Sequence, residues 1–212
     1  MHYRVKKVVV GDLDTNCYII KQDDTRNAVV IDPGDDAILI KSELHEMDAF
    51  PAVILLTHGQ FDHILALDEL RTEKTVVCIH KDDAHKLKEK ELIAAWAKSN
   101  PWPFKDADVV FGEKDRHVNV GGFSFEVIHT PGHTEGSVCY LFGDMLFTGD
   151  TLFKNGMGRV DFEGGNANKM ASSLRLLGNM PGDYAVYPGH DRETTLSEEK
   201  LHNPYMKEVM KK

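Results

Sequence analysis

The chain has 212 residues, 42% of them hydrophobic, and a formal net charge of −9 at pH 7. A chain of this length buries a sizeable core, and we expect a single domain over residues 1–212. The acidic balance argues against a nucleic-acid partner, because phosphate binding depends on clustered Lys and Arg side chains. A small-molecule substrate fits this charge better, and the oligomeric state stays open.

Neither secretion nor membrane insertion is expected. Polar residues interrupt the first twenty residues too often for a signal peptide, and no apolar run reaches the roughly 18 residues that a membrane span needs. The three cysteines, Cys17, Cys78 and Cys139, lack C-x-x-C spacing, which favours buried free thiols over a disulfide framework. We therefore expect a cytoplasmic protein with no membrane partner.

Nine short segments rich in Val, Ile, Phe and Tyr are predicted to be strands. In chain order they are VKKVVV, NCYII, AVVID, AVILLT, TVVCIH, FSFEVIH, SVCYLF, MLFTGD and YAVYPG. Helical patterns separate some of them, at DDAILIKSELHEM, HKLKEKELIAAWAKSNPWPF and NANKMASSLRLLG. In the last of these, Met170, Leu174 and Leu177 recur at helical spacing. Interleaved strands and helices predict an α/β sandwich.

A residue able to bind a metal follows four of the predicted strands. AVILLT is followed by His58 and MLFTG by Asp150, while two Pro-Gly turns precede His133 and His190. Proline cannot continue a central strand and glycine permits a sharp turn, so each side chain is presented just beyond a strand. Any one of them alone is better explained as a turn or capping residue. Their joint occurrence predicts a metal site at one edge of the sheets.

The stretch THGQFDH concentrates further candidates. His58, Asp62 and His63 lie within six residues, and Gln60 stands among them where a fourth ligand would be expected. We interpret the histidines without such a context as surface or core residues. His129, at the end of a strand, is interpreted as a structural neighbour.

In order and spacing, these motifs resemble the metallo-β-lactamase superfamily, with Gln60 in place of the second His of its H-x-H-x-D-H signature. NCYII, IDPG, NGMGRVDFEGGN and ETTLSEEKLHNPY are similar to segments of the small glyoxalase II-like hydrolases. The resemblance implies an αββα sandwich with a two-metal site at one edge. It also implies a first metal held by His58, Gln60 and His133, a second held by Asp62, His63 and His190, and Asp150 bridging the two.

The chemistry expected of such a site is acyl hydrolysis. Zinc accepts imidazole and carboxylate ligands, with iron or manganese as alternatives, and a catalytic site leaves one position open for water. A water held between two metals loses its proton near neutral pH. We predict attack of that hydroxide on a small thioester, as in hydroxyacylglutathione hydrolase. Asp62 would orient the hydroxide or accept its proton.

Recognition of the substrate is less defined by the sequence. Arg159, at the end of the glycine-rich loop, is a candidate for binding an anionic group of the substrate, although a solvated or capping arginine fits equally well. Too few residues follow His190 for the helical domain with which larger glyoxalase II enzymes grip glutathione. We therefore do not extend glutathione selectivity to this chain.

Gln60 leaves three interpretations open. It ligates through its oxygen, the protein works with one metal, or catalysis is lost and a silent metal-binding module remains. An amide carbonyl is a weaker donor to zinc than imidazole, so we predict an enzyme with unequal sites.

Two rival activities are considered beside thioester hydrolysis. His58, His133 and Asp150 alone would form the facial triad of a non-haem iron persulfide dioxygenase, and a lactonase would use the same water chemistry.

Overall fold

The computed structural model describes residues 3–89 and 103–211, which form two six-stranded sheets. The first sheet contains, in spatial order, β1 (Tyr3–Val10), β2 (Thr15–Gln22), β3 (Asn27–Ile31), β4 (Phe50–Leu55), β5 (Val76–His80) and β6 (Val109–Phe111). The second runs, in spatial order, from β12 (Thr194–Thr195) through β11 (Ala185–Pro188), β10 (Met145–Gly149), β9 (Val138–Phe142) and β8 (Phe123–His129) to β7 (His117–Val120). Strands β3 to β6 are parallel, and β10 and β11 form the parallel pair of the second sheet.

Helices cover the outer face of each sheet. They are α1 (Ala37–Glu46) and α2 (Leu67–Leu70) on the first sheet, and α3 (Ala167–Gly178), α4 (Leu196–His202) and α5 (Pro204–Met210) on the second. Single turns of 3₁₀-helix occur at Phe61–His63 and Ala84–Lys88. Three apolar clusters lie between successive layers. The predicted αββα sandwich is therefore confirmed.

Strand β2 shows why the central strands have continuous apolar runs in their sequences. Cys17 and Ile19 pack on the helical side of the first sheet, whereas Tyr18 and Ile20 pack against the second sheet. Alternate side chains point to opposite faces of a strand, and here both faces are buried. A segment such as NCYII must be apolar at nearly every position for this reason.

The predicted elements are largely confirmed. All nine predicted strands are present, and the three that the sequence missed, β6, β7 and β12, are short strands at the sheet edges. The helices predicted at DDAILIKSELHEM and NANKMASSLRLLG are α1 and α3. Most of the helix predicted in HKLKEKELIAAWAKSNPWPF lies outside the described residues. Within the described ranges, no helix combines the length and apolar character that a membrane crossing requires.

Two buried tyrosines connect the sheets close to the ends of the strands. Tyr140 of β9 donates a hydrogen bond to the carbonyl of Leu56, beyond β4, at 2.7 Å. Tyr18 of β2 donates to the carbonyl of Pro188, at the end of β11, at 2.8 Å. Both rings are at most 1% exposed. Each bond therefore ties a strand end of one sheet to the sheet that faces it.

We expect Tyr140→Phe to lower the free energy of unfolding by about 1–3 kcal/mol, because the buried carbonyl of Leu56 loses this donor. Urea denaturation measures the change. Tyr205→Phe is the control, since this ring is 46% exposed and its substitution should stay within about 0.5 kcal/mol. Equal unfolding midpoints for the two variants would show that the Tyr140 bond contributes nothing.

Candidate metal centre

The ends of four strands meet at one edge of the sandwich. His58 follows β4, His133 follows β8, Asp150 directly follows β10 and His190 follows β11. The 3₁₀-turn Phe61–His63 brings two more candidates into the same place. The predicted convergence of strand ends is therefore present, with side chains from both sheets at one point.

One group of candidate ligands contains His58, His133 and Asp150, whose ligand atoms lie within 4.8 Å of one another. Oδ2 of Asp150 is 3.4 Å from Nε2 of His133. Gln60 joins this group, because its Oε1 lies 2.7 Å from Nε2 of His133 and 3.3 Å from Nε2 of His58. The amide oxygen thus faces the same point as the two imidazoles.

The adjoining group contains Asp62, His63 and His190, again within 4.8 Å of one another. Nε2 of His190 lies 3.3 Å from Nε2 of His63 and 3.3 Å from Oδ2 of Asp62. Asp150 reaches this group too, with Oδ1 at 3.4 Å from Nε2 of His63. Its Oδ2 also lies 3.6 Å from Nε2 of His190, so the carboxylate of Asp150 lies between the two groups and is close to both.

The four histidines of the two groups share one arrangement. Nδ1 of each ring is hydrogen-bonded to an oxygen outside the centre, and Nε2 points inward. The oxygens are the hydroxyl of Thr57 for His58 (3.0 Å), the carboxylate of Asp32 for His63 (3.0 Å), and the carbonyls of Arg159 for His133 (2.9 Å) and Leu13 for His190 (3.1 Å). An Nδ1–H that donates outward leaves the lone pair of Nε2 free for a metal.

The charges of the centre also fit a cation. Oδ1 of Asp62 and Oδ1 of Asp150 are buried and have no hydrogen-bond partner among the described residues, a costly state for carboxylate oxygens. Burial lowers the pKa of His63, but the carboxylates of Asp62, Asp150 and Asp32 outweigh this effect and raise it to about 10. The field that would hold a proton on His63 would also hold a divalent metal. The residues present therefore fit such an ion.

Asp32 is a supporting residue that the sequence reasoning missed. Its carboxylate, 1% exposed, accepts hydrogen bonds from the backbone N–H (2.8 Å) and hydroxyl (2.6 Å) of Thr57 and from Nδ1 of His63 (3.0 Å). A signal was present in AVVIDPG, where an acidic residue follows a strand, as Asp150 does, and precedes a Pro-Gly pair. Asp32 therefore orients residues next to the centre from the end of β3.

Arg159 approaches the centre through its backbone. Its carbonyl accepts the hydrogen bond of His133, whereas its guanidinium pairs with Asp161 through two bonds of 2.9 and 3.0 Å. The guanidinium also lies 5.8 Å from the ring of Phe162, which packs edge-on against His133. Binding of a substrate anion by this side chain stays a prediction.

His129 lies beside a different histidine. Its ring stacks on that of His80 with centroids 4.1 Å apart, and its Nε2 donates to the carbonyl of Glu135. With His80 and Asp82 it also forms a separate group of possible metal ligands, so its interpretation as a structural neighbour stays a prediction.

Two curated relatives match almost the whole chain. The probable metallo-hydrolase YqgX of Bacillus subtilis is 34% identical over 207 residues, covering 95% of this chain and 96% of the relative. The hydroxyacylglutathione hydrolase GloC of Haemophilus influenzae is 33% identical over 208 residues, covering 95% and 97%.

Solved structures agree in fold and sequence. The B3 metallo-β-lactamase BLEG-1 has a TM-score of 0.88 and 34% identity, with 96% of this chain and 99% of that chain covered. TTHA1623, crystallised in a di-iron-bound form, has a TM-score of 0.81 and 31% identity, with 94% and 99% covered. ETHE1 from Myxococcus xanthus has a TM-score of 0.76 and 34% identity, with 96% and 84% covered.

The family assignment follows from these similarities together with the sandwich fold. The sequence profile of the metallo-β-lactamase superfamily matches residues 10–190, which contain every candidate ligand described above. This chain belongs to the metallo-β-lactamase superfamily.

Proposed function

We propose that this chain is a metal-dependent hydrolase of small thioesters, similar to hydroxyacylglutathione hydrolase. The observation that carries the proposal is the convergence of four inward Nε2 atoms on two adjoining ligand groups that share Asp150. The name of the GloC relative supports the reaction class. A small-molecule substrate, a cytoplasmic location and a single domain remain predictions.

We assign the two ligand groups to two metal positions. The first comprises His58, Gln60 and His133, the second comprises Asp62, His63 and His190, and Asp150 is shared. Zinc is the proposed ion, with iron or manganese as alternatives, since a similar structure holds two irons. Ions bound there would lower the pKa of a water and polarise a carbonyl group.

Asp62 is proposed to orient the attacking water. Thr15 donates to its Oδ2 at 3.3 Å, while its Oδ1 has no partner among the described residues. Burial raises the pKa of Asp62, but His63 and His190 outweigh this effect and lower it to about 2. An acid with so low a pKa is ionised at neutral pH and holds a proton poorly. The low pKa of Asp62 and its unpartnered Oδ1 therefore favour orientation of water over storage of its proton.

A persulfide dioxygenase is the second candidate, because His58, His133 and Asp150 do form the two-His-one-carboxylate group that such chemistry uses. Iron content together with sulfite production would favour the dioxygenase. Lactone turnover with no thioester turnover would favour a lactonase, and no turnover of either with full metal would favour a silent module.

Replacing His63 or His190 by Ala should remove about one ion per chain, because each substitution deletes one ligand from a set of about four. Elemental analysis of the purified protein measures the metal content. His202→Ala is the control, since its side chain is 64% exposed and pairs with the equally exposed Glu198 on the surface of α4. Wild-type metal content in both test variants would show that the second position is wrongly assigned.

Thioesterase activity should be lost on chelation and restored by zinc. Asp62→Asn should lower kcat/KM by about 100-fold or more, because misplacement of the attacking water costs a rate factor of that order. A thioester hydrolysis assay that follows the released thiol measures both effects. Asp23→Asn, at an exposed ion pair with Arg4, should leave the rate unchanged. Turnover that survives both chelation and Asp62→Asn would exclude the mechanism.

Zinc should bind the metal-free protein in two steps of different affinity, because Gln60 offers the first position a weaker donor than imidazole. Gln60→His should restore a second tight ion, whereas Gln60→Ala should weaken the first position further. Competition with a chromophoric chelator in identical buffer measures all three proteins. Two equally tight ions in the wild type would show that Gln60 serves as a full-strength ligand.

A further inference from the structure

A second buried carboxylate, Asp83, lies close to the centre and is absent from both ligand groups. It follows β5 and is 0% exposed. Oδ2 accepts hydrogen bonds from the backbone N–H of Gly59 at 2.8 Å and from the hydroxyl of Thr134 at 2.7 Å. Oδ1 accepts from the backbone N–H of Gly136 at 2.9 Å. One side chain thus joins the loop after β4 to the loop after β8.

These two loops carry the proposed ligands of the first metal position. Gly59 lies between His58 and Gln60, and Thr134 directly follows His133. The distance between the loops sets the distance between the ligand atoms that they present. A carboxylate bonded to both loops therefore controls the spacing of the first ligand group.

The second ligand group has other supports. Nδ1 of His63 bonds to Asp32 and Nδ1 of His190 bonds to the carbonyl of Leu13. In the described part of the chain, Asp83 is neither hydrogen-bonded nor ion-paired to either histidine. The two positions consequently depend on different buried groups, although Asp32 also bonds to Thr57 beside His58.

The packing of two glycines shows how closely the loops approach Asp83. A Cβ added at Gly59 would lie 2.9 Å from the carbonyl oxygen of Asp83 and 2.7 Å from Cβ of Lys86. A Cβ added at Gly136 would lie 2.6 Å from the backbone nitrogen of Asp83. No side chain fits at either place without moving a loop. Gly59 and Gly136 thus permit the three hydrogen bonds that Asp83 accepts.

The hydrogen bonds of Asp83 form a satisfied network. The hydroxyl of Thr134 donates to Asp83 and lies 2.7 Å from the hydroxyl of Ser137, which fixes its orientation. Bonds to an ionised acceptor are shorter and stronger than neutral ones. An Asn in this place would present an N–H₂ group toward donors, so at least one bond would be lost.

We propose that Asp83 is a positioning residue that sets the metal affinity of the first position, by holding His58 and Gln60 at a fixed distance from His133. The inference rests on the proposed ligand set. An amide oxygen is the weakest donor of the set, so we expect displacement of the loops to reduce metal affinity most at this position.

The test is a zinc titration of the metal-free full chain in competition with a chromophoric chelator. His133→Ala and His190→Ala identify which step belongs to the first position and which to the second. Asp83→Asn should weaken the first step about 10- to 100-fold, the usual effect of removing a group that orients a ligand, and leave the second unchanged. Asp48→Asn, at an exposed ion pair with Arg26 on the surface, should leave both steps unchanged.

A milder pair of variants covers the case in which Asp83→Asn does not fold. Thr134→Val removes the hydroxyl that donates a hydrogen bond to Asp83, whereas Thr134→Ser retains that hydroxyl. We expect Val to weaken the first step and Ser to restore it. Visible absorption of the cobalt-substituted proteins should change for Val and match wild type for Ser, a difference that general loss of stability would not produce.

Two results would overturn the inference alone: wild-type binding in both Asp83→Asn and Thr134→Val, or equal weakening of both steps. A different result would overturn the proposed first position as well. That result is a wild type that binds one ion, with His58→Ala and His133→Ala leaving its affinity unchanged.

Discussion

The hydrogen bonds accepted by Asp32 are the interaction on which the centre depends most. This one buried carboxylate accepts hydrogen bonds from the backbone N–H and the hydroxyl of Thr57 and from the imidazole of His63. These bonds link the end of β3 to the loop after β4 and to the 3₁₀-turn that follows. Because buried carboxylates are costly without such partners, the loops and the charge stabilise one another. The orientation of His63 follows from this arrangement.

The layered architecture explains why ligand-bearing loops from both sheets meet. The two sheets pack face to face, so the strand ends of one sheet lie opposite the strand ends of the other at one edge of the sandwich. Tyr18 and Tyr140 hold this edge together with hydrogen bonds that cross between the sheets. A rigid scaffold of this kind lets the loops differ in sequence while the ligand atoms keep their separations.

Gln60 brings a neutral amide oxygen to the first group. Its Oε1 lies close to Nε2 of both His58 and His133, and it would bind zinc less strongly than an imidazole. The second group retains two imidazoles and a carboxylate. The two groups therefore differ in their donor atoms, because only the first includes an amide oxygen.

The sequence by itself determined the sandwich and the seven candidate ligands, because apolar periodicity and the strand-end pattern are local and were reinforced by a family resemblance. It missed β6, β7 and β12, since short edge strands bury too little apolar surface to leave a pattern. Only the tertiary structure decided the roles of Asp32 and Asp83. Asp32 follows a strand and precedes a Pro-Gly pair, but this pattern does not show its partners, and each of the two residues acquires its partners from loops far away in the chain. Such hydrogen bonds arise from the packing of layers, which no local spacing records.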